Sequence, residues 1–307
     1  MNTTISIIGF GNIGKMICGL LLNEKEHAYT LNVMDVNDEV QGAILDFKHG
    51  IQIESTHKLT YNNRELFNQS DFIFHCAGAS VPKGESRLYT CQQSVDITEA
   101  VFENFKPSKN PFIIVVANPV EIITTVTQQI TQLPEGHVFG TGTFLDSMRM
   151  NHVVKEDNEK VSEVKAILLG EHGSSVFLSE QLSSVDDLPF SKRFNEEERT
   201  SYLDKVKHAA EEIKSTQKAT IFGVCYCAIA LFEALMSEEA IYQPVSVPVP
   251  NFLRKKLREE SVCLSLYCKI DRNGAIPDDA YDPSASELED LRRSFDVIRN
   301  CLPHKYL

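Results

Sequence analysis

The chain has 307 residues, enough for one large domain or two moderate ones that share a core. A hydrophobic content of 42% is that of a globular protein, not a disordered one. The net charge of −13 argues against a nucleic-acid backbone or an anionic membrane as partner, but leaves room for an anionic substrate met by locally concentrated cations.

In chain order, "TISIIGF" (4–10) reads as a buried strand, 12–24 as a helix, "TLNVMD" (30–35) as a second strand and 38–49 as a helix. "DFIFHCAG" (71–78) and "PFIIVVANP" (111–119) are two more strands, with a helical stretch near 88–106 between them, and "HVFGTG" (137–142) closes the series. Continuous apolar strands separated by helices imply a parallel sheet covered on both faces, the doubly wound α/β architecture. From about residue 147 the pattern changes: "SMRMNHVVKEDN" is helical, "VKAILLG" strand-like, and 196–217 a long charged helix. "SVCLSLYCKIDRNGAI" reads as two strands turning at Asn273–Gly274, and 284–302 as a serine-capped terminal helix. The expected organisation is a Rossmann domain over 1–145 followed by a mixed α+β domain over 146–307.

The apolar N-terminus lacks a basic leader and is broken by glycines and Lys15, so it is not a secretory signal. No run reaches the ~18 apolar residues of a membrane span. None of the eight cysteines forms a C-x-x-C pair or stands at metal-ligand spacing with a histidine. The expectation is a soluble cytoplasmic protein with free thiols, no metal site and no membrane or nucleic-acid partner.

"GFGNIG" (9–14) directly follows a strand pattern and opens a helix. Gly9 allows a tight turn, Gly11 lets the backbone approach a pyrophosphate, and Gly14 permits close helix–strand packing. Phosphates would sit on the free N–H groups of the helix N-terminus. Asp35 ends the second strand, 21 residues after Gly14. A carboxylate there accepts from ribose hydroxyls and repels a 2′-phosphate, which favours NAD over NADP.

Three further segments carry charge at places that fall near strand ends. "AGASVPKGESRL" (77–88) is glycine- and proline-rich and ends near Arg87, a surface charge or a working group on a mobile loop. "GTFLDSMRMN" (142–151) holds Asp146 and Arg149, which share a helix face at i and i+3, as a plain salt bridge or as part of a site. "KAILLGEHGSS" (165–175) places His172 between two glycines, as a turn residue or a proton donor.

Together "GFGNIG", "VMD", "AGASVPKGESRL", "VVANPVE", "GTFLDSMR", "GEHGSS" and "KATIFGV" stand in the order found in the L-lactate/malate dehydrogenase family, which the chain resembles from Ile5 to the last helix. "GESR" draws the resemblance toward the lactate branch. It implies an NAD-dependent oxidoreductase of small L-2-hydroxy and 2-oxo acids, assembled as a homodimer or homotetramer. It further implies that His172 is the acid/base, that Asp146 orients it and stabilises its imidazolium, and that Arg149 anchors the substrate carboxylate with a bidentate fork. Arg87 would close with its loop and polarise the carbonyl. Asn118 would bridge substrate oxygen and nicotinamide, and Thr220 would line the substrate pocket. Gly9, Gly11, Asn12, Ile13, Gly14, Asp35, Gly78, Ala79, Val116 and Asn118 would hold the cofactor.

The chain departs from the family six residues before Arg87, where lactate enzymes usually carry Gln and malate enzymes Arg. Here the residue is Val81, which cannot pair with a second carboxylate. That favours pyruvate or a related apolar 2-oxo acid. The usual Lys-Pro order is also inverted to Pro82–Lys83, so a malate enzyme using Lys83 as the missing cation is an alternative. Ser174 replaces the Asp usual after "GEHG", and Asn151 stands where sugar-phosphate-activated enzymes tend to carry Arg. Two other classes compete: a catalytically silent NAD-binding relative, and the NAD-dependent glycosidases, which need a metal held by Cys and His.

Overall fold

A computed structural model of the chain describes residues 3–51, 56–79, 90–217, 219–257 and 262–307. The short apolar runs form parallel strands, because side chains on both of their faces are covered. Strands β1 (Thr3–Ile8), β2 (Tyr29–Met34), β3 (Lys58–Tyr61), β4 (Phe72–His75), β5 (Phe112–Val115) and β6 (Val138–Gly140) lie side by side in the order β3-β2-β1-β4-β5-β6. The order reverses between β1 and β4, the crevice where doubly wound sheets bind ligands.

Helices α1 (Asn12–Leu22), α2 (Val40–Gly50), α3 (Arg64–Asn68), α4 (Cys91–Phe102) and α5 (Val120–Thr131) connect these strands. Helix α5 runs against local preference, since "VEIITTVTQQIT" is rich in β-branched residues. It is held by burial from Val120 to Thr127 and by threonine hydroxyls bonded back one turn, Thr124 Oγ1 to Val120 O at 2.6 Å and Thr125 Oγ1 to Glu121 O at 2.8 Å.

The second half adds three antiparallel strands to the same sheet, β12 (Ile241–Pro248), β13 (Cys263–Asp271) and β14 (Gly274–Pro277), so strands from both halves make one nine-stranded layer. Pro244 and Pro248 argue against an internal strand when β12 is read locally. The strand is tolerated because it meets β6 only at Ser246↔Gly140, while its long ladder runs to β13. The β13–β14 turn falls one residue earlier than the sequence suggests: Asp271 pairs with Gly274, so Arg272 and Asn273 form the loop.

Helix α6 (Phe144–Asp157) follows β6; the short strands β7 (Val164–Lys165) to β11 (Leu188–Pro189), helices α7 (Phe190–Arg193), α8 (Glu196–Thr216), α9 (Phe222–Met236) and α10 (Asn251–Leu257), and the terminal α11 (Ala285–Cys301) complete the chain. The termini of α8 and α11 follow from sequence, because Asn195 with Glu198 and Ser284 with Glu287 form reciprocal capping boxes. A large apolar core covers the sheet, and a smaller one joins α6 to α7 and α8. Among the described residues no helix is long and apolar enough to cross a membrane.

Candidate active site

The β1–α1 turn has the shape a dinucleotide needs. Gly9 sits at φ +84°, and a Cβ on Gly14 would stand 2.1 Å from Gly9 O, so the turn closes only with glycine at both positions. A Cβ on Gly11 would meet nothing within 4 Å, which leaves open space beside the first turn of α1. Asn12 and Ile13 open that helix, and its first turn carries no acidic residue. Asp35 is oriented by backbone donors, from Phe10 N to Oδ2 at 2.6 Å and from Asn37 N to Oδ1 at 2.8 Å. It borders a cavity of about 530 Å³ between the ends of β1, β2 and β4 and helix α4, lined by Gly9, Val36, Ala77, Ile97 and Val101 among others. A cavity of about 910 Å³ lies along one face of α8, and the described residues that line it all belong to that single helix, so it does not enclose a ligand.

Gly78 and Ala79 leave the end of β4, where Ala79 N donates to Ser94 Oγ at 3.1 Å. Val116 is buried just beyond β5, its N–H on His75 O at 2.9 Å. Asn118 follows, joined to Pro119 by a cis peptide, and its buried Oδ1 has no hydrogen-bond partner among the described residues. A buried amide oxygen without a donor is a place for a ligand donor.

"VKAILLG" is not a continuous strand. Only β7 and β8 (Leu168–Leu169) form within it, because side chains of α6 take its main-chain groups. Thr143 Oγ1 donates to Leu168 O at 2.5 Å, Leu168 N donates to Ser147 Oγ at 2.9 Å, and Ala166 N donates to Asn151 Oδ1 at 2.8 Å. Residues 143, 147 and 151 are one helical face at i, i+4 and i+8. Asn151 thus has a local structural task. The ladder fixes the register of α6 against the segment that ends at His172. Gly170, at φ +99°, then turns that segment, and its backbone pairs with Ser265 through bonds of 2.9 and 2.8 Å.

The outcome is a compact charged cluster. His172 Nδ1 lies 2.5 Å from Asp146 Oδ2, and Arg149 Nη1 donates to Asp146 Oδ1 at 3.0 Å. The three side chains are 12%, 7% and 13% exposed, so one nearly buried carboxylate holds an imidazole on one oxygen and a guanidinium on the other. That geometry fixes the imidazole and the guanidinium relative to each other. Thr220 is half-buried and stands just before α9, which packs on α6 through Gly223 and Leu145. Val81, Lys83 and Arg87 lie outside the described residues.

Beneath His172 lies a group to which the sequence assigns no role. Glu121, in the first turn of α5, accepts from His172 N at 3.1 Å and from Ser265 Oγ at 2.8 Å, both on Oε1. Burial, with the nearby Glu171, pushes its carboxyl up to about 8. Glu171 is held separately, accepting Ser175 N at 3.1 Å and Ser175 Oγ at 2.9 Å. The i, i+4, i+8 row of Thr143, Ser147 and Asn151 was visible in the sequence; the role of Glu121 was not, since its partners lie 51 and 144 residues away.

Residues 3–140 match the lactate/malate dehydrogenase NAD binding domain, and residues 143–297 match the lactate/malate dehydrogenase alpha/beta C-terminal domain. The chain belongs to the lactate/malate dehydrogenase family. This dehydrogenase is therefore an NAD-dependent oxidoreductase. It is 30% identical to an L-lactate dehydrogenase of Thermoanaerobacter sp. over 97% of either chain. It is 26% identical to one of Clostridium botulinum over 98% of this chain and 96% of that one. Among solved structures, the minor L-lactate dehydrogenase of Enterococcus mundtii superposes with a TM-score of 0.84 at 25% identity, covering 98% of this chain and 97% of that one. The malate dehydrogenase of Plasmodium falciparum, at 24% identity and 97% coverage of either chain, shares the fold with a TM-score of 0.86.

The residues present fit NAD. The glycine turn and acid-free start of α1 suit a pyrophosphate, Asp35 beside the cavity suits ribose hydroxyls, and Asn118 Oδ1, without a partner among the described residues, suits a carboxamide or hydroxyl donor. Among the described residues no group of three or more His, Cys, Asp or Glu is placed to hold a metal ion, and all eight cysteines are free thiols.

Proposed function

We propose that the dehydrogenase interconverts a small L-2-hydroxy acid and its 2-oxo acid, with lactate/pyruvate or a related apolar pair as substrate. The observation that carries this reading is Asp146, whose two oxygens hold His172 Nδ1 at 2.5 Å and Arg149 Nη1 at 3.0 Å. Bound NAD(H) supplies or accepts the hydride at its nicotinamide ring. His172 gives a proton to the carbonyl oxygen during reduction and takes it back during oxidation. Because Nδ1 faces Asp146, the transfer is assigned to Nε2. Asp146 stabilises the imidazolium and fixes its plane. Arg149 uses one donor on Asp146 and offers its remaining fork to the substrate carboxylate. Asn118 offers Oδ1 and its amide to substrate oxygen and nicotinamide, and Thr220 lines the pocket. Arg87 is assigned the polarisation of the carbonyl.

Val81 is assigned the reading of the substrate side chain. Its apolar surface leaves a second carboxylate uncompensated, which favours pyruvate over oxaloacetate. The names of the bacterial relatives are consistent with that choice. We assign cofactor binding to 1–145 and most of the substrate site to 146–307. We further propose a cytoplasmic homodimer or homotetramer, in keeping with the family resemblance. Light scattering at micromolar protein tests the assembly, and a monomer refutes it.

The test of function is NADH oxidation with pyruvate, oxaloacetate and branched or aromatic 2-oxo acids. Turnover of an apolar 2-oxo acid is expected, with Val81→Arg shifting relative activity toward oxaloacetate. Activity confined to oxaloacetate in the wild type would transfer the specificity role to Lys83. Silence across the panel with NADH still bound refutes the reading.

A further inference from the structure

We propose that Glu121 is a positioning residue that locks the main chain at His172 to the turn carrying Asn118. The proposal rests on the reading above, in which those two residues act on the substrate oxygen. His172 is gripped at its ring end by Asp146, a contact that orients the imidazole but does not by itself place the main chain that carries it. The second grip is on the backbone: His172 N donates to Glu121 Oε1 at 3.1 Å. Glu121 stands three residues after Asn118 at the start of α5, so the same carboxyl ties the loop of the acid/base to the turn of Asn118. Its Oε1 also accepts Ser265 Oγ at 2.8 Å, and Ser265 pairs with Gly170 through two backbone bonds. One oxygen therefore joins three elements that are distant in sequence.

Packing alone does not explain a carboxyl here. Glu121 is 2% exposed, and burial of an ionisable group opposes folding unless its hydrogen bonds are made. An apolar side chain of the same volume would fill the space without bracing the loop. The elevated carboxyl pKa fits a group that works as an acceptor rather than as a charge. Glutamine then keeps the function, since it retains Oε1 and replaces the carboxyl O–H with N–H donors.

The test compares Glu121→Gln, which keeps the acceptor, with Glu121→Met and Glu121→Ala, which do not. Folding is checked by NADH binding. With the best 2-oxo acid, the acceptor-free variants are expected to lose roughly 10- to 100-fold in kcat, the scale of a misplacement on the order of 1 Å. Their NADH Kd and substrate KM stay within about threefold, and Glu121→Gln keeps kcat within about threefold. Independently of turnover, hydrogen exchange of the amides in 170–175 should quicken about tenfold or more in Glu121→Met and hold steady in Glu121→Gln. Four results overturn the proposal: unchanged kcat in folded Glu121→Met; an equal loss in Glu121→Gln; a rise in Kd and KM that matches the fall in kcat; or unchanged exchange at 170–175. Failure of both acceptor-free variants to bind NADH also overturns it, by assigning Glu121 to the fold. If the wild type turns over nothing on the panel, the proposed function fails while the exchange measurement still judges the brace.

Discussion

Replacing Asp146 by Asn isolates the charge at the centre of the site. Asn has the same shape, so packing around a side chain only 7% exposed is preserved. Its carbonyl oxygen can still accept from Arg149, but its amide then faces His172 Nδ1, donor against donor, whenever the imidazole is protonated. The wild-type contact is 2.5 Å in a nearly buried pocket. Hydrogen bonds to charged groups contribute roughly 1.5–3 kcal/mol. The Coulomb attraction of unit charges ~4 Å apart is somewhat larger, about 4 kcal/mol at an effective dielectric near 20. The two figures describe one interaction and do not add, so the loss is about 3–4 kcal/mol. At 1.36 kcal/mol per decade that predicts a fall in kcat/KM of roughly 10²- to 10³-fold. The same factor applies to both directions at fixed pH, because the overall equilibrium is unchanged. NADH absorbance measures the rate and NADH fluorescence the affinity, which should hold because Asp146 lies outside the glycine turn. A fall below tenfold, or an equal loss of NADH affinity, would refute the assigned role.

Ser147→Ala leaves Leu168 N buried without its acceptor at a cost of about 1–3 kcal/mol, so Tm by calorimetry should fall by several degrees with NADH affinity intact. Gly14→Ala forces a Cβ to 2.1 Å from Gly9 O, so the turn must open, and NADH affinity by fluorescence titration should drop at least about tenfold. Buried His75, whose Nε2 bonds Thr98 Oγ1 at 3.0 Å, is held by desolvation at about 4, below its ordinary 6.5. The unfolded chain then binds more protons between those values. Measured against His75→Leu by urea unfolding, wild-type stability should be constant above pH 6.5 and fall by roughly 3 kcal/mol as pH drops toward 4. Glu121 has the opposite sign: raised from 4.5 to about 8, it contributes most below 4.5, and wild type should lose stability relative to Glu121→Gln as pH rises through 8.

The sequence by itself determined the features that depend on short spans of chain. A glycine pattern after an apolar strand and an acid 21 residues on read as a dinucleotide turn, because turn geometry and strand length are local properties. The serine cap placed the start of α11, and the i, i+3 spacing put Asp146 and Arg149 on one helix face. His172 was legible as a candidate, but one histidine between glycines could not announce its partner. Only the tertiary structure decided that Asp146 faces His172, 26 residues later, because the ladder of Thr143, Ser147 and Asn151 sets the register of α6 against the segment before the histidine. It also decided that α5 is a helix despite its β-branched residues, and that proline-bearing β12 joins the nucleotide-binding sheet, since burial outweighs local propensity in both. Glu121 is the extreme case. It closes the segment "VVANPVE", but its spacing alone reads as an ordinary first-turn acid, and its task exists only because folding brings His172 N and Ser265 Oγ to the same oxygen.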